Sequence, residues 1–263
     1  MRSRKRTSFQ IFRSVVFALI VREMKTRFGV WRLGYIWAIL EPLIGISALV
    51  VIISFIRGRE PWFNIPVPVF VACGFMLFQY FRTLSTQAAN SINSNKALFG
   101  YRQVKPFDTL VSRTILETLI FISTVATLSV IGYWFFDYNL MPHDPLRAGL
   151  VILLLIVVSF GLGLSFAVFG TLFPELAKLL PVISRPLLFI SCVMYPLASI
   201  PSNMQHWLLW NPLLHAIEQF RYSMFPYYPG EETSILYLLK SAIFVTTIGL
   251  LVYTSQRHKL VST

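Results

Sequence analysis

His215 and Glu218 stand three residues apart with His206 close before them, and a histidine and a carboxylate at helical spacing can seed a metal site. No H-E-x-x-H and no Cys/His cluster completes that set, so no metal is expected. Cys73 and Cys192 both fall inside apolar runs and read as small core residues. None of the thirteen glycines is followed by Lys, so the chain lacks G-x-x-x-x-G-K-[ST] and cannot cradle a nucleotide as a P-loop does. There is no G-x-S-x-G, and the adjacent acids Glu231 and Glu232 read as a loop tip. Neither a catalytic constellation nor a bound cofactor is expected on this chain.

The remaining reactive groups are charges inside apolar runs, which are costly in hydrocarbon and mark either function or local pairing. Arg113 and Glu117, four apart, are expected to pair near an interface. Glu41, beside Pro42, and Arg82 either snorkel or line a transport path. Glu218 and Arg221, three apart on one helical face, either pair structurally or present charge to a cargo. Gly161 and Gly163, with Gly170, suit close helix packing.

The elements that carry these residues follow from hydropathy. The chain has 263 residues, 56% hydrophobic and 13% charged, and its apolar runs approach or exceed the roughly 20 residues that a helix needs to cross hydrocarbon. Uncharged runs of that length exclude a membrane β-barrel, whose strands are shorter and alternate in polarity. The expected fold is all-α: an amphipathic interfacial helix over 9–28, then six spans at 33–56, 67–90, 109–136, 146–173, 179–197 and 235–255. A tight turn is expected at 174–178. The domain reading is a cytoplasmic arm at 1–32, a membrane domain at 33–255 and a short cytoplasmic tail at 256–263. No small-x-small cleavage site follows the N-terminal apolar stretch, so that stretch is expected to be retained.

Net charge is +12, yet the basic residues gather at the ends of apolar runs, which argues against a nucleic-acid partner. Pieces 1–32, 91–113, 174–185 and 256–263 hold seventeen of the 23 Lys and Arg. The other side holds Arg57, Arg59, Arg147, Arg221 and Lys240, so both termini are expected in the cytoplasm.

Two connecting segments are unusual. Loop 91–108 is polar but contains Ala97, Leu98 and Phe99, suited to a short helix that docks on a soluble partner. Segment 196–230 is too apolar for a solvated loop, and its prolines cut it into pieces too short to span. A re-entrant pair of helices fits it. Its aromatics, Trp207, Trp210 and Tyr222 among them, suit either a membrane-interface belt or stacking against sugar rings.

RFGVWRLGYIWAILEPL at 27–43 and WNPLLHAIEQFR at 210–221, together with the whole span pattern, resemble the membrane subunit of type-2 ABC exporters. The local text is most similar to the capsular polysaccharide (KpsM-like) branch. That resemblance implies a homodimer in the bacterial inner membrane, working with two separate ATPase subunits that bind the ATP and Mg. It further implies a lipid-linked polysaccharide as cargo and periplasmic adaptor and outer-membrane export proteins as partners. Regions 27–31 and 91–108 would contact the motor, with Arg27, Trp31, Lys96, Phe99, Arg102 and Lys105 as coupling candidates. Tyr35, Trp37, Glu41, Phe78, Tyr80 and Arg82 are the translocation-path candidates, and Trp207, Trp210, Glu218, Arg221 and Tyr222 those of the re-entrant segment. The alternatives are a permease for O-antigen, teichoic acid or a small hydrophobic compound, or an intramembrane enzyme on lipid-linked sugars.

Overall fold

The computed structural model describes residues 7–29, 34–58, 60–101, 103–138 and 140–262, and the described residues form helices without a strand. Helix α1, Ser8–Phe28, opens on a reciprocal cap in which Gln10 N–H donates to Thr7 Oγ1 at 3.3 Å and Thr7 N–H to Gln10 Oε1 at 3.1 Å. The long apolar runs become α2 (Gly34–Arg57), α3 (Val67–Ala89), α4 (Pro106–Phe136), α5 (Pro145–Leu172) and α9 (Ile235–Ser262). These five are long and apolar enough to cross a membrane. Helix α9 runs through the stretch expected to be a tail.

Proline sets several helix starts. Pro106, Pro145, Pro174 and Pro212 each occupy the first helical position, where the missing N–H has no partner to lose. The stretch 174–178 is therefore not a tight turn but the first turn of α6, Pro174–Ile190. At 17 residues α6 rises about 26 Å, short of a typical hydrocarbon core. It contains Pro181 and Pro186 and stops seven residues earlier than expected, where Cys192 adopts a left-handed φ of 52°. A 3₁₀ turn at Leu197–Ser199 and two short helices follow, α7 (Ser202–Leu208) and α8 (Pro212–Met224). Buried residues fill α8, whereas α7 has none.

Helix α5 is the hub, packed against α9, α3, α8, α6 and α4. A Cβ at Gly161 would lie 2.7 Å from Thr246 Cα, and one at Gly249 would strike the Gly161 carbonyl. Thus α5 and α9 meet backbone to backbone, the close packing expected of Gly161. Phe70, Leu77, Phe78, Leu155 and Leu213 fill the centre. Helices α2, α4 and α9 leave large apolar side chains exposed, such as Phe55, Trp134 and Leu251.

Candidate functional site

At one end of the bundle α1 runs along the first turns of α4. Arg113 Nη2 lies 3.0 Å from Glu23 Oε1, and one turn further along both helices Arg27 pairs with Glu117. Arg113 and Glu117 do not pair with each other as their spacing suggests. Both face the helix that covers them, and α1 offers the opposite charges at the same spacing, which satisfies the two together. Arg113 also donates to the Gln87 carbonyl and to Ser94 Oγ at 2.9 Å, while Arg22 Nη1 donates to Asn95 Oδ1 at 2.6 Å. One network thereby ties α1 and α4 to the end of α3 and the loop beyond it.

That loop contains a 3₁₀ helix, Asn93–Leu98. Lys96 and Lys105 are exposed, and the Lys105 N–H donates to Asp108 Oδ2 at 3.0 Å, capping α4. Phe99 is not free to dock on a partner: it is buried with Ile92, Ala167, Val168 and Leu260. The reason is local, since α5 and α9 lie within reach and cover the ring. Tyr101, 67% exposed, is the aromatic that the loop presents. Trp31 and Arg102 lie outside the described residues.

Beside the ion pairs, α1, α2, α3 and α4 line a cavity of about 60 Å³ that includes Arg27, Glu41, Gln79, Tyr80 and Glu117. Tyr80 Oη is 3.0 Å from Thr118 Oγ1. Of the path candidates, Glu41 and Tyr80 share this cavity, Phe78 is buried in the core, and Tyr35 and Trp37 are exposed on α2. Arg82 is exposed on α3 at a second cavity. The six therefore do not form a single surface within one chain.

Around α8 the structure brings Glu218 and Arg221 together. Arg221 has no exposed surface. It donates to Glu218 Oε1 at 2.9 Å, to the Cys192 carbonyl at 2.8 Å and to the Val193 carbonyl at 2.6 Å, and lies 3.6 Å over the Phe70 ring. Tyr228 Oη donates to Glu218 Oε2 at 2.7 Å. Gly74 makes the space, because a Cβ there would collide with Arg221 Nη2. The guanidinium caps the chain where α6 ends and has no face left for a sugar. Trp207 and Trp210 are exposed, while Tyr222 is half-buried under the Arg147 guanidinium, 4.3 Å away. Arg147 Nη2 also donates to Gln219 Oε1 at 2.8 Å, and Gln219 Nε2 to the Thr233 carbonyl at 2.7 Å.

His215 is similarly committed to the fold. Ser234 N–H donates to its Nδ1 at 3.1 Å, and its Nε2 donates to the Leu209 carbonyl at 2.8 Å. Accepting at Nδ1 and donating at Nε2 is what the neutral imidazole with its proton on Nε2 can do.

Sequence reasoning missed Glu23, Gly74, Arg147 and Gln219. Glu23 and Arg27, spaced like Arg113 and Glu117 with the signs reversed, were a usable signal. For the other three no signal existed, because their partners are remote.

A family model described as ABC-2 type transporter matches residues 14–225. The chain belongs to that family. In this ABC-2 chain the match runs from within α1 through α8, so it takes in the ion-pair network and the Arg221 centre. The polysialic acid transport protein KpsM of Escherichia coli is 40% identical over 257 residues, covering 98% of this chain and 99% of that protein. The capsule polysaccharide export inner-membrane protein BexB of Haemophilus influenzae is 29% identical over 242 residues, covering 90% and 88%. The inner-membrane protein CtrC of Neisseria meningitidis serogroup B, also named for capsule polysaccharide export, is 29% identical over 233 residues, covering 86% of each.

Proposed function

We propose that this chain is the membrane permease of an ATP-driven exporter that carries lipid-linked capsular polysaccharide across the bacterial inner membrane. The observation that carries the reading is the 40% identity, over nearly the full length of both chains, to a protein named for polysialic acid transport. Family membership supports a permease whose ATP and Mg are bound by two separate ATPase subunits. Two copies of the chain would enclose the path, and periplasmic adaptor and outer-membrane proteins would continue it. In this reading both termini are cytoplasmic and α1 rests at the inner interface, with Phe9 and Phe17 exposed to lipid. Helix α6 is the sixth, proline-bent crossing, and α7 and α8 form the re-entrant pair.

The exposed Lys96, Tyr101 and Lys105 then face the motor. The network of Arg22, Glu23 and Arg113 passes its movement to α1 and α4. Deleting the gene in its host should abolish surface polysaccharide and leave polymer inside the cell, and a plasmid copy should restore it. Polymer that still reaches the surface without the chain would overturn the proposal.

A further inference from the structure

A second cavity, of about 220 Å³, lies between α3, α5 and α6 beside the start of α8. Phe81, Leu162, Phe166, Ile183 and Leu187 give it apolar walls, and no Asp or Glu lines it among the described residues. Its polar lining is Arg82, Ser85 and Thr86 of α3 with Ser184 and Asn211, of which Thr86, Ser184 and Asn211 already donate to the Arg82 carbonyl, the Pro181 carbonyl and Ser191 Oγ. Arg82 is exposed and makes no ion pair among the described residues. Ser85 is 6% exposed, and its hydroxyl has no hydrogen-bond partner among the described residues. A helical serine or threonine commonly returns its hydroxyl to the carbonyl four residues back. Thr86 does so, to Arg82 O at 2.9 Å, whereas Ser85 does not. Three residues apart, Arg82 and Ser85 are neighbours on one helix face.

Depth sharpens the point. Arg82 stands seven residues before the end of α3, about 10 Å inside it, and its Cα–Cβ bond tilts toward the helix N-terminus, away from the nearer end. A guanidinium at that depth is costly unless an anion or water meets it. The walls select among anions: sugar hydroxyls set against Phe and Leu would lack partners, whereas an acyl chain needs none. We propose that this cavity binds a phosphate-bearing lipid, with its acyl chain along Phe166, Ile183 and Leu187 and its phosphate on Arg82 and Ser85. A bilayer phospholipid and the lipid end of an exported polymer share that chemistry, and only the second source rests on the export reading.

The test is native mass spectrometry of the purified full chain with three probes: phosphatidylglycerol, diacylglycerol with the same acyl chains, and inorganic phosphate. Phosphatidylglycerol should be retained and the other two should not. Arg82→Ala should weaken retention at least tenfold, Ser85→Ala about threefold, and Ile183→Trp, which fills the mouth, should abolish it with the chain still folded. Equal retention of diacylglycerol, or binding of inorganic phosphate that displaces no lipid, would overturn the site. So would unchanged phosphatidylglycerol retention in both Arg82→Ala and Ile183→Trp. Lipid co-purified from cells with and without the polymer separates the two sources, either of which supports the site. A wild-type chain that supports export yet retains no phosphatidylglycerol sinks the site alone, and a wild-type chain that retains it yet supports no polysaccharide export sinks the export reading and leaves the site standing.

Discussion

Arg113 of α4 reaches Glu23 of α1 at 3.0 Å, with side chains 7% and 20% exposed respectively. Burial of that degree shields the pair from salt, so it counts for more than a surface bridge. Its partner rung, Arg27 with Glu117, runs in the same direction along both helices. Because Arg113 also holds Gln87 and Ser94, one guanidinium joins the N-terminal helix to the loop that follows α3. A push on that loop therefore reaches α1 and α4 together.

The first prediction measures this joint. Glu23→Ala and Arg113→Ala should each lower the melting temperature of the purified chain. A double-mutant cycle should give a coupling of about 0.5–3 kcal/mol, the range for residues within one network. Exchanging the two residues should restore little, because a glutamate at 113 would face the Gln87 carbonyl. Strict additivity of the single effects would show that the pair is not coupled.

The second prediction concerns Arg221. Arg221→Leu leaves the Glu218 carboxylate buried and unpaired, and breaking such a pair costs about 3–5 kcal/mol. Exchanging Glu218 and Arg221 should not rescue the fold, because a carboxylate would then meet the Cys192 and Val193 carbonyls. Gly74→Ala should destabilise as well, with every charge kept, by displacing the guanidinium. Protein level in membranes and thermal unfolding in detergent report all three, and a stable exchange variant would show that the carbonyl cap is dispensable.

How far each of these features was legible follows from where its cause lies. Helices α2 to α5 and α9 were readable because an apolar run of about 20 residues has few other stable forms in lipid. The end of α6 was not, since Ile190 lies in an apolar stretch that continues to Leu197. What stops the helix there is a turn whose carbonyls are capped by Arg221, and backbone acceptors leave no mark in a sequence. Glu218 and Arg221 were recognisable as a possible pair from their spacing alone. Phe99 was misread because an apolar residue in a polar loop looks like a docking anchor until α5 and α9 are seen to cover it.

The third prediction separates packing from docking in that loop. Phe99→Asp should lower the melting temperature of the chain by itself, since it puts a carboxylate among Ile92, Val168 and Leu260. Reversing Lys96, and replacing Lys105 by Gln so that no like charge meets the Asp108 cap, should leave stability within about 0.5 kcal/mol of wild type, as for surface changes in general, yet reduce ATPase co-purification severalfold. Tyr101→Ala should act in the same way as these charge changes. Normal co-purification with all three surface changes would place the motor contact elsewhere.

The last prediction fixes the direction of insertion. The basic residues crowd the pieces that include α1 and the loop after α3, and short loops rich in Lys and Arg stay in the cytoplasm. Single cysteines are read with an impermeant thiol reagent in a background without Cys73 and Cys192, both buried. The probe positions must be exposed and free of structural duty. Asn95 fails that requirement, being 4% exposed and bonded to Arg22, whereas Ala97 meets it. Asn64, at a φ of 62°, would strain under a cysteine, so Glu60 is the position to probe between α2 and α3. His143 serves better than Asp144, whose carboxylate caps α5 by accepting the Arg147 N–H at 3.0 Å. In intact spheroplasts, cysteines at Glu60, His143 and Glu231 should label, and one at Ala97 should label only after the membrane is opened. Labelling at 97 from outside would invert the bundle and with it the assignment of the motor-facing end.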